Sequence, residues 1–284
     1  MKQSDVKAKD YMYVYINNES YREAAEKVAE KVKGELITKI DELSEEETYL
    51  GYDESGLYLA QGNNRMQGDF KKMIKRLKHN NLTHEMVVKA AKLKGAEAGS
   101  KLTLIDATAG MGEDSLLLAA AGFEVTLYEK DPVIAALLED TIERAKGHKV
   151  TADVKEYESF ESYEKGAKEA GDNLILKEAV SRMHLICADS IEAMNNFEGM
   201  APDVILLDPM FPERQKTGLV KKKFQLIHQL EKPCEEEEAL LKAAMGLKPK
   251  RIVIKRPLKG PFLAGKKPSY SLEGKVVRYD CIVN

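Results

Sequence analysis

Residues 102–121 read LTLIDATAGMGEDSLLLAAA, and the fold turns on them. Leu102–Ala107 has the short, apolar character of a buried strand, and Glu113–Ala121 has the length and content of an apolar helix. Between them, Asp106-Ala-Thr-Ala-Gly110-Met-Gly112 supplies the glycines that a strand-to-helix turn needs when backbone must approach a ligand. Gly122 stops the helix. Outward from this unit the alternation repeats. Glu124–Tyr128 reads as a second strand ending in Glu129, and Pro132 opens a helix through Arg144, at a first-turn position where a missing N–H costs nothing. Met183–Cys187, Asp203–Leu207 and Arg251–Lys255 read as the third, fourth and fifth strands, with helical material between them that includes Glu235–Met245. Lys275–Val283 reads as an antiparallel C-terminal edge strand. The expectation is an α/β fold with a doubly wound, mainly parallel, Rossmann-like sheet. Gly147–Gly171 is polar and poor in strand signals, and reads as a partly helical insertion.

Upstream, Tyr11–Ile16 alternates like a strand, and Ser20 is placed to cap a helix over Tyr21–Lys33 that Gly34 ends. Glu35–Lys39 and Gly56–Ala60 are short strand candidates on either side of the acidic segment Asp41–Glu47. A helix is expected near His84–Lys94, capped by Thr83. The stretch GAEAGS at 95–100 is the most linker-like in the chain. The expected division is a small α/β region over 1–98 and a larger domain over 99–284.

The chain has 284 residues, 43% hydrophobic and 32% charged. No apolar run approaches the roughly 20 residues of a membrane span. The opening MKQSDVKAKDYMYVY lacks the apolar centre of a secretory signal. Cys187, Cys234 and Cys281 are far apart and form no CxxC pair, and the five histidines are scattered, so neither a disulfide framework nor a metal site is indicated. A cytoplasmic protein fits best, with no membrane partner. The net charge of −3 is unevenly spread. Residues 201–284 hold 17 basic and 10 acidic residues, a balance of +7, so the first 200 residues carry −10. Arg65–Lys78 has six basic residues against Asp69 alone. Such clustering suits a polyanion, and it suits a solvated lysine-rich face equally.

Open parallel sheets bind ligands beyond the carboxyl ends of their strands. Asp106, Glu129, Asp189 and Asp208 all fall at or just past such ends. A carboxylate at Glu129 can hold a ribose diol, and Asp189-Ser190 can reach an adenine ring. Two cofactors are compatible with this layout. A dinucleotide site asks for G-x-G-x-x-G, but here the third position is Ser115. Glu113 and Asp114 would also repel a pyrophosphate. Those acids suit S-adenosylmethionine, which carries a sulfonium and an ammonium and no phosphate.

Asp208-Pro209-Met210-Phe211-Pro212 follows the apolar run Val204–Leu207. Asp208 and the Pro209 carbonyl can accept N–H bonds from a planar amine, and Phe211 offers a face for a nucleobase. Phe211 can equally be packing beneath its loop. The segment resembles the D/N-P-P-F/Y signature of methyltransferases acting on amino groups, with Met in place of the second proline. Arg214, Lys216, Lys221, Lys222 and Lys223 come next, and Lys255 and Arg256 follow the fifth strand. These are candidate phosphate contacts of a nucleic acid, with a solvated helix face as the alternative for 214–223.

The segments DATAGMGEDSLLLAAAGFEV, EKDPVIAALLED, LDPMFPERQKTGLVKKK and IVIKRP resemble the ribosomal RNA small subunit methyltransferase J family, over roughly 102–284. The resemblance implies a class I methyltransferase domain that transfers a methyl from S-adenosylmethionine to a guanine N2 of 16S ribosomal RNA, with ribosomal RNA or the small subunit as partner and no metal. It implies cofactor contacts from Glu113-Asp114, Glu129-Lys130, Asp189-Ser190 and Asp208, beside Asp106, Gly110 and Gly112 in the turn. Where the family typically has Arg before the Asp at 114, this chain has Glu113; where it often has Ser, this chain has Asp189. Residues 65–94 match the family's basic segment loosely and are a possible second RNA contact. Three other readings remain: methylation of another exocyclic amine such as adenine N6, a nicotinamide-dependent oxidoreductase, and a non-catalytic RNA-binding protein on the same fold.

Overall fold

The computed structural model describes residues 12–95, 100–147, 160–210, 226, 230 and 236–284. The chain forms two compact units that part between Gln67 and Gly68. In the first, β1 (Tyr13–Ile16) lies between β2 (Glu35–Ile37) and β3 (Thr48–Asp53), parallel to both. β4 (Gly56–Gln61) and β5 (Asn64–Met66) complete the sheet as an antiparallel meander. Strand β3 was not expected from the sequence. Gly51 interrupts its apolar run, and the gap at that glycine is filled by the Tyr58 ring from the facing strand. Helix α1 (Arg22–Lys31) turns Ala25, Val28 and Ala29 inward. Asn18 caps the 3-10 turn Glu19–Tyr21 that leads into it, taking the Ser20 N–H at 2.9 Å, and α1 itself begins after Tyr21 with no side-chain cap, so Ser20 is not the cap. Its exit uses the left-handed Lys33 (φ 51), with Gly34 following in ordinary backbone.

The second unit begins with the short helices α2 (Ile74–Leu77), α3 (His79–Leu82) and α4 (Met86–Ala91). The sequence reading placed residues 68–94 with the N-terminal region, but their apolar side chains belong here. Phe70, Met73, Leu77, Leu82, Val87 and Ala90 join one continuous core with the larger sheet. Buried Arg251 donates to the carbonyls of Ala90 and Lys92 at 2.8 and 2.6 Å, satisfying groups that the end of α4 leaves open. Thr83 closes α3 and does not cap α4, whose N-cap position is Glu85. The linker-like stretch at 95–100 falls largely outside the described residues.

The sheet of this unit contains β6 (Leu102–Asp106), β7 (Phe123–Glu129), β8 (Met183–Cys187), β9 (Val204–Leu207), β10 (Arg251–Pro257), β11 (Tyr270–Glu273) and β12 (Val277–Val283). Their order is β11-β12-β10-β9-β6-β7-β8. The five strands β6 to β10 are parallel, and β12 joins β10 antiparallel over seven residue pairs. The C-terminal strand is antiparallel, as its sequence indicated, and β11 pairs outside it. Helices α5 (Glu113–Ala120), α6 (Pro132–Lys146), α7 (Phe160–Val180), α8 (Ser190–Asn195) and α9 (Glu237–Gly246) fill the connections. Of the expected insertion, 148–159 lies outside the described residues, and α7 occupies the rest.

At β9 both faces of the sheet are covered, which is why this strand is apolar at every position. Val204 and Leu206 pack into one core layer with Leu116–Leu118 of α5, while Ile205 and Leu207 pack into the other with Leu240 and Leu241 of α9. The winding reverses between β6 and β9. Doubly wound sheets open a crevice at such a switch point, beyond the strand ends.

Candidate active site

The turn after β6 is built by its own side chains. Asp106, 2% exposed, accepts the Thr108 N–H at 3.0 Å and the Ser115 hydroxyl at 2.6 Å. Ser115 breaks the dinucleotide glycine pattern for a reason visible here: it is fully buried, and its hydroxyl clamps the strand end to the first turn of α5. Burial, with the charges of Asp114 and Asp208 nearby, pushes the Asp106 carboxyl up to about 7. Gly110 (φ 52) and Gly112 (φ 71) take left-handed backbone that an L side chain would strain. A Cβ on Gly112 would also stand 2.7 Å from Leu138.

Glu129 ends β7 and holds the turn from the other side. It accepts the Gly110 N–H at 2.9 Å and the Asp131 N–H at 2.8 Å. Burial raises its pKa, and the backbone N–H bonds oppose that rise. A carboxylate has about four acceptor positions, so two remain for hydroxyls. Lys130 beside it is exposed. Asp189 caps α8 through the Ile191 and Glu192 N–H groups at 2.8 and 3.3 Å, and Ser190 is buried. Their position beyond β8 follows the sequence reading, but one Asp189 oxygen is already spent on the helix.

Asp208 is the first residue beyond β9. Its N–H donates to Thr108 Oγ1 at 2.6 Å, and its Oδ2 accepts from Lys255 Nζ at 2.8 Å. Lys255 also donates to Asp114 Oδ2 at 2.9 Å. Burial raises the Asp208 pKa, and the Lys255 charge counters this. Burial alone would lower the Lys255 pKa, but Asp208 and Asp114 carry it above the ordinary lysine value. Pro209 is buried behind Asp208. Glu113 is exposed in the first turn of α5. The strand ends thus gather Asp106, Asp114, Glu129 and Asp208, and two of these acids already hold an ammonium group. That donor set fits a cationic cofactor with a ribose, and opposes a pyrophosphate.

Several candidates are placed differently. Phe211, Arg214, Lys216, Lys221, Lys222 and Lys223 lie outside the described residues. Arg256 is an interior residue: it donates to Glu237 at 3.0 Å and to the Pro261 carbonyl at 3.1 Å on the α9 side of the sheet. Burial lowers its pKa, with Glu237 acting against that. It does not suit the phosphate contact expected of it. Adjacent strand residues face opposite ways, so Lys255 and Arg256 could not have shared one phosphate. In the basic run 65–78, Arg65 pairs with Asp53, Lys72 with Asp69, Arg76 with Glu85 and Lys78 with Asp172. Lys71 and Lys75 are exposed. Thr108 and Ser115 escaped the sequence reading as structural parts of the site, although both lie inside its central motif.

Among the described residues no group of His, Cys, Asp and Glu could hold a metal ion, and no helix is long and apolar enough to cross a membrane. Residues 35–160 and 163–284 match the family model described as "Putative SAM-dependent methyltransferase". Over 190 residues, 67% of the chain, it is 42% identical to the Ribosomal RNA small subunit methyltransferase J of Pseudomonas aeruginosa, matching 63% of that protein. It is 43% identical to the protein of the same name from Pseudomonas fluorescens, over 67% of the chain and 64% of that protein. The match therefore spans less than two thirds of these relatives' length. A SAM-dependent methyltransferase from Neisseria gonorrhoeae has the same fold, with a TM-score of 0.67 and 25% identity over 96% of both chains.

Proposed function

The chain belongs to the SAM-dependent methyltransferase family, and on that footing we propose that it methylates the exocyclic N2 amine of a guanine in small-subunit ribosomal RNA. The observation that carries the reading is Asp208, fixed at the switch point by Thr108 and Lys255 beside acids suited to a cationic cofactor. The relatives' name supports ribosomal RNA as substrate. With such a substrate the protein would work in the cytoplasm.

S-Adenosylmethionine would supply an activated methyl on a neutral leaving group. The protein's task is then mostly positioning. Glu129 would bind the ribose hydroxyls, with Asp189-Ser190 toward the adenine. Gly110 and Gly112 let backbone come close, and Asp114 favours the positive end of the cofactor. A guanine N2 is a weak nucleophile because its lone pair is delocalised into the ring. Asp208 and the Pro209 carbonyl would accept its N–H groups and favour pyramidal nitrogen as the methyl group passes from sulfur to nitrogen. The proton that the amine sheds leaves through the Asp208 carboxylate to water. The base must first leave its stack; a stacking contact from Phe211 would return about 1–3 kcal/mol of that cost. Arg214, Lys216 and Lys221–Lys223 would bind phosphates around the pocket.

The test is transfer of labelled methyl from S-adenosylmethionine to RNA, DNA and protein fractions in parallel, with calorimetry against S-adenosylhomocysteine and NAD. Label in RNA and binding of S-adenosylhomocysteine alone are expected. Binding of NAD alone would favour an oxidoreductase, and cofactor-free RNA binding a non-catalytic role.

A further inference from the structure

Lys255 sits in β10 on the face shared with Val253, directly opposite Tyr279 of β12. Its ammonium has three donors. Two reach carboxylates, Asp114 at the start of α5 and Asp208 at the end of β9. These three groups together carry one net negative charge. A phosphate brought to Lys255 would meet that excess and would have to displace a carboxylate. The titratable and charged groups that act on Asp208 include, among the described residues, Asp106 of β6, Asp114 of α5, Lys255 and Arg256 of β10, and Tyr279 of β12. Arg76 of α2 stands near Asp114 and Tyr279 and is itself bound to Glu85. Among the described residues, Lys255 is the cation that bonds both Asp114 and Asp208.

Resting on the methyltransferase reading above, we propose that Lys255 is a positioning residue for methyl transfer: it holds Asp208 ionised, with one carboxylate oxygen fixed and acceptor capacity left for the incoming amine, and it is not a phosphate contact. Without it, three acids would crowd the ends of β6, α5 and β9 in a partly buried place. Like charges so arranged retain protons. A protonated Asp208 would present a hydroxyl donor toward an amine that needs an acceptor, and the guanine would lose its orientation. The bridge also ties α5 to the end of β9, so the cofactor side and the acceptor side of the crevice share one cation.

The test compares wild type, Lys255→Met and Lys255→Arg in two measurements. The first is the titration of the Asp208 carboxyl by NMR with carbon-labelled aspartate, assigned with Asp208→Asn. It needs no turnover, so it stands even if the methyltransferase reading fails, which an inactive wild type would reveal by itself. In Lys255→Met the Asp208 titration should move up by about 1–3 pH units, the range for losing an adjacent opposite charge. In Lys255→Arg, which keeps the charge, it should stay near wild type; that variant also stands in as the folded comparison if Lys255→Met folds poorly, since a charge-keeping variant whose Asp208 titrates far from wild type contradicts the proposal. The second measurement is the pH profile of kcat together with the salt dependence of the RNA KM. The acid limb in Lys255→Met should rise with the Asp208 titration, while the salt slope stays unchanged. An unmoved Asp208 titration overturns the proposal. So does a salt slope flattened by about 0.7–0.9, the signature of one lost phosphate contact.

Discussion

The backbone N–H of Asp208 donates to the hydroxyl oxygen of Thr108 at 2.6 Å, across 100 residues of sequence. The bond joins the loop after β6 to the loop after β9, on either side of the point where the winding of the sheet reverses. The cofactor side and the acceptor side of the proposed site are therefore held together by a hydroxyl as well as by the Lys255 ammonium.

Replacing Thr108 by Ala leaves a partly buried N–H without its acceptor, a change of about 1–3 kcal/mol. Turnover should fall in Thr108→Ala and survive in Thr108→Ser, which keeps the oxygen. Steady-state kinetics on both variants checks this; equal loss in the two would mean that the methyl group of Thr108, not its oxygen, matters.

Glu129→Ala should weaken S-adenosylhomocysteine binding by about 1–3 kcal/mol, from unpaired hydroxyls and from release of the Gly110 N–H. Titration calorimetry measures it. Unchanged affinity would take Glu129 out of the cofactor site.

Asp106 gives a pH dependence of stability. Its carboxyl is pushed up to about 7 in the folded protein, chiefly by burial. The native state therefore binds a proton that the unfolded chain has released, from the ordinary carboxylate range up to that value. Stability should fall as pH rises through this window, by up to about 1.4 kcal/mol per pH unit from this group. Asp106→Asn should remove that slope. Urea unfolding of both proteins between about pH 5 and 7 decides, and parallel curves would refute the assignment.

The parallel sheet was legible because β9 is apolar on both faces, the other strands carry short apolar runs, and the turns are marked by Gly110, Gly112, Gly122 and Pro132. The acids at the strand ends followed from the same pattern. What escaped depended on partners distant in sequence. Strand β3 is recognisable only beside Tyr58, whose ring fills the space at Gly51. Residues 68–94 looked like part of the N-terminal region until their apolar side chains were seen in the core of the larger sheet. Lys255 and Arg256 read as one basic pair, whereas strand alternation sends one to Asp208 and the other to Glu237. That alternation was available in the sequence; the identity of the groups waiting on each face was not.

Replacing Lys221, Lys222 and Lys223 together by Ala should flatten the slope of log RNA affinity against log salt by about 2–3 units, at roughly 0.7–0.9 per phosphate contact. Cofactor affinity should be unaffected. The same experiment on Lys71 and Lys75, exposed lysines of the upstream basic run, should have the smaller effect, because much of that run is paired with acids. Unaltered slopes in both sets would make the basic surface a solubility feature.

The identity of the methylated nucleoside is the most direct test of the proposed guanine N2 chemistry. Small ribosomal subunits from cells lacking this gene should be incubated with the protein and S-adenosylmethionine, digested, and analysed by mass spectrometry. N2-methylguanosine is expected at a single site with the wild-type protein and none with Asp208→Ala. Methyl on adenine N6, or no methyl on RNA at all, would contradict the proposal.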